Sequence, residues 1–356
     1  MTDTLSPIGV GLIGYGFAGK TFHAPLIRAV PGLDLVAVAS SDAAKVHKDI
    51  PGIAVTADPL AMIHDPRVAL VVIATPNDSH APLARAALAA GKAVVIDKPF
   101  ALDLTEARDL IARAAEKNLL LSVFHNRRWD SDYLGAKLGV ESGMVGTVAQ
   151  FEAHIDRFRP LVRDRWRERA GPGAGVWYDL APHLVDQTLQ LFGLPERIVA
   201  SLSLMRPGAQ ATDWAHVVLE YPTRRVVLQA SMLVAGGSPR FAVHGDKGSL
   251  IKQGIDQQEA QSLAGMIPGA AGWGEDLDDM QFFDANGDVR AVPTPPGDHR
   301  IYYAGIRDAL RGLAPNPVPP LEALAVLAVL EAAIQAAATG IATTVPLTAA
   351  ERAALR

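Results

Sequence analysis

Cysteine is absent from the 356 residues. That excludes disulfides, thiolate metal sites and a cysteine nucleophile, so redox chemistry must come from a bound cofactor. Strong charge of one sign is also missing: a net charge of -5 supplies no field for a polyanion, and nucleic acid is not an expected partner. The first seven residues carry Asp3 and lack the basic residue, long apolar stretch and small-residue cleavage site of a secretory leader, which predicts a cytoplasmic enzyme. Long hydrophobic runs are lacking as well. The most apolar stretch, 323–330, lies between Glu322 and Glu331 and is far shorter than the roughly 20 residues of a membrane span, so it reads as a buried helix, not an anchor.

What is present is ordinary globular material, 49% hydrophobic and 20% charged, in a chain long enough for two domains. The first third alternates short apolar runs, at 8–13, 35–39, 70–74, 93–96 and 119–124, with helical patterns; 54–56 is a weaker sixth strand. Such runs without inside-outside alternation predict an α/β domain, a doubly wound parallel sheet with crossover helices, over 1–125. From 126 to 356 the pattern is that of an α+β domain. A helix spans 130–141, alternating segments such as 148–158, 214–221 and 225–234 read as antiparallel strands, and a helix at 177–192 stops at Gly193. A stretch rich in Gly, Pro and acidic residues, 265–296, reads as a loop; helices near 302–312 and 321–340 close the chain, separated by a proline-rich linker.

Gly14-Tyr15-Gly16-Phe17-Ala18-Gly19 directly follows the first apolar run and opens a helical pattern. In that context the glycines predict a dinucleotide site. Gly14 allows the tight turn, Gly16 lets backbone amides approach the pyrophosphate, and Gly19 lets the helix pack against the strand. At the tip of the second strand, where an acid normally binds the adenine ribose, the chain has Ser40-Ser41-Asp42, with Lys45 one turn beyond. Two hydroxyls and an ammonium suit a 2'-phosphate, whereas Asp42 argues the other way. The cofactor is NADP or NAD, and the balance leans to NADP(H). Thr75-Pro76-Asn77, with His80 in the next helix, sits past the fourth strand at the edge where ligands gather; it reads equally as a nicotinamide contact or as a polar turn capping a helix.

Asp97-Lys98-Pro99 follows the fifth strand at that same edge, so Lys98 is a candidate to hold an alcohol or carbonyl oxygen during hydride transfer. Asp179 and His183 are four apart on the 177–192 helix, hence on one face. A carboxylate at that spacing orients an imidazole, which makes His183 a candidate acid or base. The flexible Gly171-Pro172-Gly173-Ala174-Gly175 before it lets a helix start approach a cofactor closely. No HExxH stretch exists, and His125, His154, His216, His244 and His299 show no ligand spacing, so no metal is expected.

These residues together resemble the glucose-fructose oxidoreductase, inositol dehydrogenase and rhizopine catabolism (Gfo/Idh/MocA) family over nearly the whole chain. His23-Ala24-Pro25-Leu26, the run 122–130 and Trp166-Arg167-Glu168 are similar to its scyllo-inositol dehydrogenase branch. The resemblance implies a Rossmann domain followed by an α+β domain with a large, mainly antiparallel open sheet that also serves oligomerisation, its last helices packing back toward the first domain. It further implies that Lys98 holds the reacting oxygen, His183 carries the proton and Asp179 binds substrate and orients His183. Asn126 and Arg127 fall where the family lines its substrate pocket, and Trp166 and Arg167 match a pair that reaches the cofactor, or else a buried Trp beside a solvated Arg. The implied substrate is a small polyol or sugar, and the implied assembly a homodimer or homotetramer. Three departures are visible: Asp97 replaces the family's usual Glu, Ala181 its usual Gly, and Pro182 is unusual. Ser41 stands where the NADP-using scyllo-inositol enzymes tend to carry a basic residue. An NAD-dependent glycosidase and a dinucleotide-sensing regulator share the scaffold, and the arginine density at 127–128 and 157–169 would suit an acidic substrate instead.

Overall fold

The computed structural model describes residues 6–355. Among these residues the strands form two sheets. The first holds β1 (Ile8–Ile13), β2 (Leu33–Ala39), β3 (Ala54–Thr56), β4 (Leu70–Ile73), β5 (Ala93–Ile96) and β6 (Leu121–Val123), in the order β3-β2-β1-β4-β5-β6. All its pairings are parallel. Every residue of β4 and β5 is buried, which is why neither strand alternates in sequence. The crossovers are helical. A π-helical segment, Gly19–His23, runs into α1 (Ala24–Ala29), followed by α2 (Ala43–Asp49), α3 (Pro59–Ile63), α4 (His80–Ala89) and α5 (Leu104–Glu116). Aspartates start three of them: Asp42, Asp58 and Asp103 accept backbone N–H bonds from Lys45, Leu60 and Glu106. Strand order reverses between β1 and β4, so the crevice where doubly wound sheets bind ligands opens at Gly14 and Thr75.

The second sheet has the order β14-β13-β12-β11-β7-β10-β9-β8. Its members are β7 (Val148–His154), β8 (Arg197–Ser203), β9 (Trp214–Glu220), β10 (Arg225–Ser231), β11 (Phe241–Gly245), β12 (Gly248–Lys252), β13 (Met280–Asp284) and β14 (Val289–Val292). Strict alternation of buried and half-buried residues along β9 leaves one face for a core. Onto the sheet pack α6 (Ser131–Glu141) and α7 (Gly175–Phe192). Antiparallel pairing dominates, with one correction: β7 and β10 run parallel. A second correction concerns 265–296, which carries the β13–β14 hairpin. Met280 and Phe282 are buried by that hairpin, but flanking acids and glycines hide so short an alternation. The remaining helices are α8 (Gln258–Leu263), α9 (Arg300–Leu310), α10 (Pro320–Thr339) and α11 (Ala349–Ala354).

The sheets divide near residue 126, while the compact units do not follow a single cut. One unit runs up to Asn126 and adds Gln258–Trp273 and Asp298–Leu324; the other comprises Arg127–Gln257, Gly274–Gly297 and the chain from Ala325 onward. In α10, the apolar stretch 323–330 is at most 3% exposed at any residue. That helix is long and apolar enough to cross a membrane by length and composition, yet its apolar surface is spent on the protein's own core.

Candidate active site

The glycine turn is built by three different constraints. Gly14 has φ +95°, and a side-chain carbon there would lie 2.4 Å from the carbonyl oxygen of Ala74. At Gly19 the same carbon would lie 2.1 Å from the Gly14 carbonyl, so the helix start is pressed onto the turn. Gly16 is different: a side-chain carbon there meets nothing within 4 Å. Its freedom is not needed by the protein, which leaves open room for an approaching ligand. Beside it is a cavity of about 390 Å³ lined by Gly14, Tyr15, Gly16, Ser40, Ser41, Asp42, Lys45 and Thr75, among others. Its size falls in the range of ligand sites, and its position at the strand-order reversal fits a dinucleotide. Within it Asp42 Oδ1 accepts the Lys45 N–H at 2.9 Å as the α2 cap, and Ser40 Oγ accepts the Asp42 N–H at 3.2 Å.

Of the other residues expected to touch cofactor, Phe17 is exposed and meets Phe22 edge-on, Ala18 precedes the π-helical turn, and Pro76 leads into a 3-10 turn containing the buried Asn77. His80 sits deeper. It is fully buried, and its two ring nitrogens face the backbone carbonyls of Pro99 and Thr75, so it braces the sheet edge.

Lys98 follows β5 and is half-buried; its N–H donates to Asp97 Oδ1 at 2.8 Å. Behind it lies a buried row that the sequence did not announce. Asp97 Oδ2 is 3.9 Å from His23 Nε2, and His23 Nδ1 is 2.6 Å from the Tyr303 hydroxyl on α9. Burial holds the Tyr303 phenol well above its ordinary range, so it keeps its proton and donates to His23 Nδ1. Burial alone would raise the Asp97 carboxyl, but His23, then Lys98 and His80, hold it down at about 2. Asp97 and His23 each stand in a stretch the sequence singles out, but nothing there joins them, and Tyr303 lies 280 positions from His23. In the same unit, Asn126 is buried with its amide 3.3 Å from His299, a histidine whose spacing had suggested nothing.

In the second unit α7 carries Asp179 and His183 one turn apart, with His183 6% exposed. Pro182 sits inside the helix and removes the N–H that would bond the Tyr178 carbonyl. Of the glycines at the start of α7, Gly175 serves a close approach to the chain itself: it has φ +90°, a side-chain carbon there would lie 2.8 Å from the Thr212 carbonyl, and Val176 N–H donates to that carbonyl at 2.6 Å, whereas Gly171 faces open space. Asp179 pairs with Arg167 Nε at 3.3 Å, and the Arg167 guanidinium lies over the Trp166 ring, 4.4 Å from its centre. Glu168 anchors this segment by accepting the Arg163 N–H and Arg165 Nε and pairing with the buried Arg206.

Arg127 begins the second unit. It is 8% exposed and its Nη1 donates to Asp130 at 2.8 Å, a buried ion pair. Arg128 makes a two-pronged bond to Asp186, Arg165 meets Glu168 and Arg169 meets Asp164. Internal carboxylates thus match Arg127, Arg128, Arg165, Arg167 and Arg169, while Arg159 keeps the positive charges of Arg157, Arg163 and Arg165 around it.

Comparison with known proteins agrees with this geometry. Residues 8–125 match the description "Oxidoreductase family, NAD-binding Rossmann fold", and residues 137–347 match "Oxidoreductase family, C-terminal alpha/beta domain". The oxidoreductase YdgJ of Escherichia coli is 51% identical over 333 residues, covering 93% of this chain and 96% of the relative. The scyllo-inositol 2-dehydrogenase (NADP(+)) IolW of Bacillus subtilis is 34% identical over 335 residues, covering 92% and 93%. A crystal structure of a Klebsiella pneumoniae protein assigned as an oxidoreductase superposes with a TM-score of 0.94 at 60% identity, covering 98% of this chain and 99% of that one. The chain belongs to the glucose-fructose oxidoreductase, inositol dehydrogenase and rhizopine catabolism family and is an NAD(P)-binding oxidoreductase.

Proposed function

We propose that the protein interconverts a secondary alcohol and a ketone on a cyclic polyol or sugar, with an inositol as the leading substrate class. The observation that carries the reading is the glycine-turn cavity at the strand-order reversal with Lys98 at the same carboxyl edge of the sheet. The name of the Bacillus subtilis relative supports the substrate class. When bound, the nicotinamide accepts or returns a hydride. His183 takes the hydroxyl proton during oxidation, Lys98 stabilises the oxygen as negative charge develops, and Asp179 binds substrate and orients the imidazole. Arg167 keeps the Asp179 carboxylate in place.

For the cofactor the reading favours NADP(H). Ser40 stands where a ribose-binding acid is expected, and Ser40, Ser41 and Lys45 line the cavity with groups that donate to a phosphate, which outweighs the neighbouring Asp42 carboxylate, one oxygen of which caps α2. We further assign the protein to the cytoplasm and to a homodimer or homotetramer. A screen of inositols, hexoses and sugar acids with each dinucleotide, read by absorbance of the reduced nicotinamide, tests the substrate and cofactor assignments. Turnover with a cyclic polyol or sugar and tighter binding of NADP are expected; equal affinities or an NAD preference would remove the cofactor assignment. On the best substrate, Lys98→Ala and His183→Ala are each expected to lower turnover by at least about 100-fold. Near wild-type turnover in either variant removes that residue's role.

A further inference from the structure

His80, at the start of α4, is fully buried, with Nδ1 2.9 Å from the Pro99 carbonyl oxygen and Nε2 3.0 Å from the Thr75 carbonyl oxygen. Both partners are acceptors without a proton to give. A neutral imidazole has one N–H and one lone pair, so it satisfies one of these carbonyls and sets its lone pair against the other; only the imidazolium donates to both. The two carbonyls belong to the turns that matter most in this unit. Thr75 lines the dinucleotide cavity, and Pro99 directly follows Lys98.

We propose that His80 is a positioning residue that ties the cofactor turn to the Lys98 turn, holding both when doubly protonated and one at a time when neutral. The charged groups facing it are Asp97, which favours the cation, and Lys98, which opposes it. Burial outweighs Asp97 and the two carbonyls and shifts the imidazole toward the neutral form, so the doubly tied state gains as pH falls below the ordinary histidine range. Dinucleotide affinity should then strengthen toward acid, because the Thr75 wall of the cavity is held at both ends. The effect on turnover rests on the reading of Lys98 given above, whereas the effect on dinucleotide binding does not.

The test compares the full-length protein with His80→Ala and His80→Gln, measuring NADP(H) and NAD(H) dissociation constants, kcat and KM from about pH 4 to about pH 8. Deleting the donors in His80→Ala is expected to weaken dinucleotide binding about tenfold and to lower kcat with it. The amide of His80→Gln offers donors on one nitrogen and an acceptor oxygen opposite, so it stands in for the neutral imidazole at every pH: dinucleotide binding should match the wild type at the alkaline end and lose its pH dependence. The nitrogen spectrum of histidine-labelled protein reads the proton count directly, and a second His80 N–H should appear as pH falls. Wild-type dissociation constants in a folded His80→Ala, the same pH dependence in wild type and His80→Gln, or an unchanging His80 spectrum would each overturn the proposal. If His80→Ala does not fold, the Gln variant and the spectrum decide. If Lys98→Ala keeps full turnover, the catalytic reading fails while the binding measurements still judge His80.

Discussion

Asp97 is buried beside two histidines and a lysine, and burial by itself would neutralise it. Instead its carboxyl is held at about 2, below the ordinary 3.8, mainly by His23. Because the folded value is the lower one, the ionised form stabilises the fold above about pH 4, and that contribution is lost as pH falls toward about 2. Asp97→Asn is expected to cost on the order of 2 kcal/mol at neutral pH, with the gap to wild type closing between about pH 4 and about pH 2. Urea unfolding of both proteins at each pH checks this; a pH-independent gap would contradict it. At this scale the sequence was readable where chemistry is local and opaque where partners are distant. Lys98 and the Asp179–His183 spacing stand out in the chain. The partners that decide the behaviour of Arg128 and His23, namely Asp186 and Tyr303, do not.

Secondary-structure elements sort the glycines by what they are for. Gly19 is required by the protein, since a side-chain carbon would strike the Gly14 carbonyl, whereas Gly16 faces open space. Gly16→Ala is therefore expected to leave the melting temperature unchanged while weakening dinucleotide binding, and Gly19→Ala to lower both. Thermal melts with and without dinucleotide separate the two; equal losses of stability would show that Gly16 has a packing role after all. The parallel strands were legible because unbroken apolar runs such as Val71-Val72-Ile73 have no exposed face to alternate with. The β13–β14 hairpin was not, because its four- and five-residue strands sit among glycines and acids. The glycine stretch before α7 was recognised as a close approach, but the approaching group, the Thr212 backbone, lies far along the chain.

At the scale of the whole molecule, Lys98 belongs to the first unit and His183 to the second, and one family spans both. The fold class followed from periodicity, and the family from ordered motifs. The unit boundaries did not, because Gln258–Trp273 and Asp298–Leu324 join the first unit through tertiary packing that periodicity does not encode. The central claim is hydride transfer from a polyol or sugar carbon to the nicotinamide, and its most direct measurement uses a substrate deuterated at the carbinol carbon. Deuterium recovered at C4 of the nicotinamide, in wild type and at least about 100-fold more slowly in Lys98→Ala, is the predicted result. Bound dinucleotide with no deuterium transfer from any cyclic polyol or sugar would contradict the account.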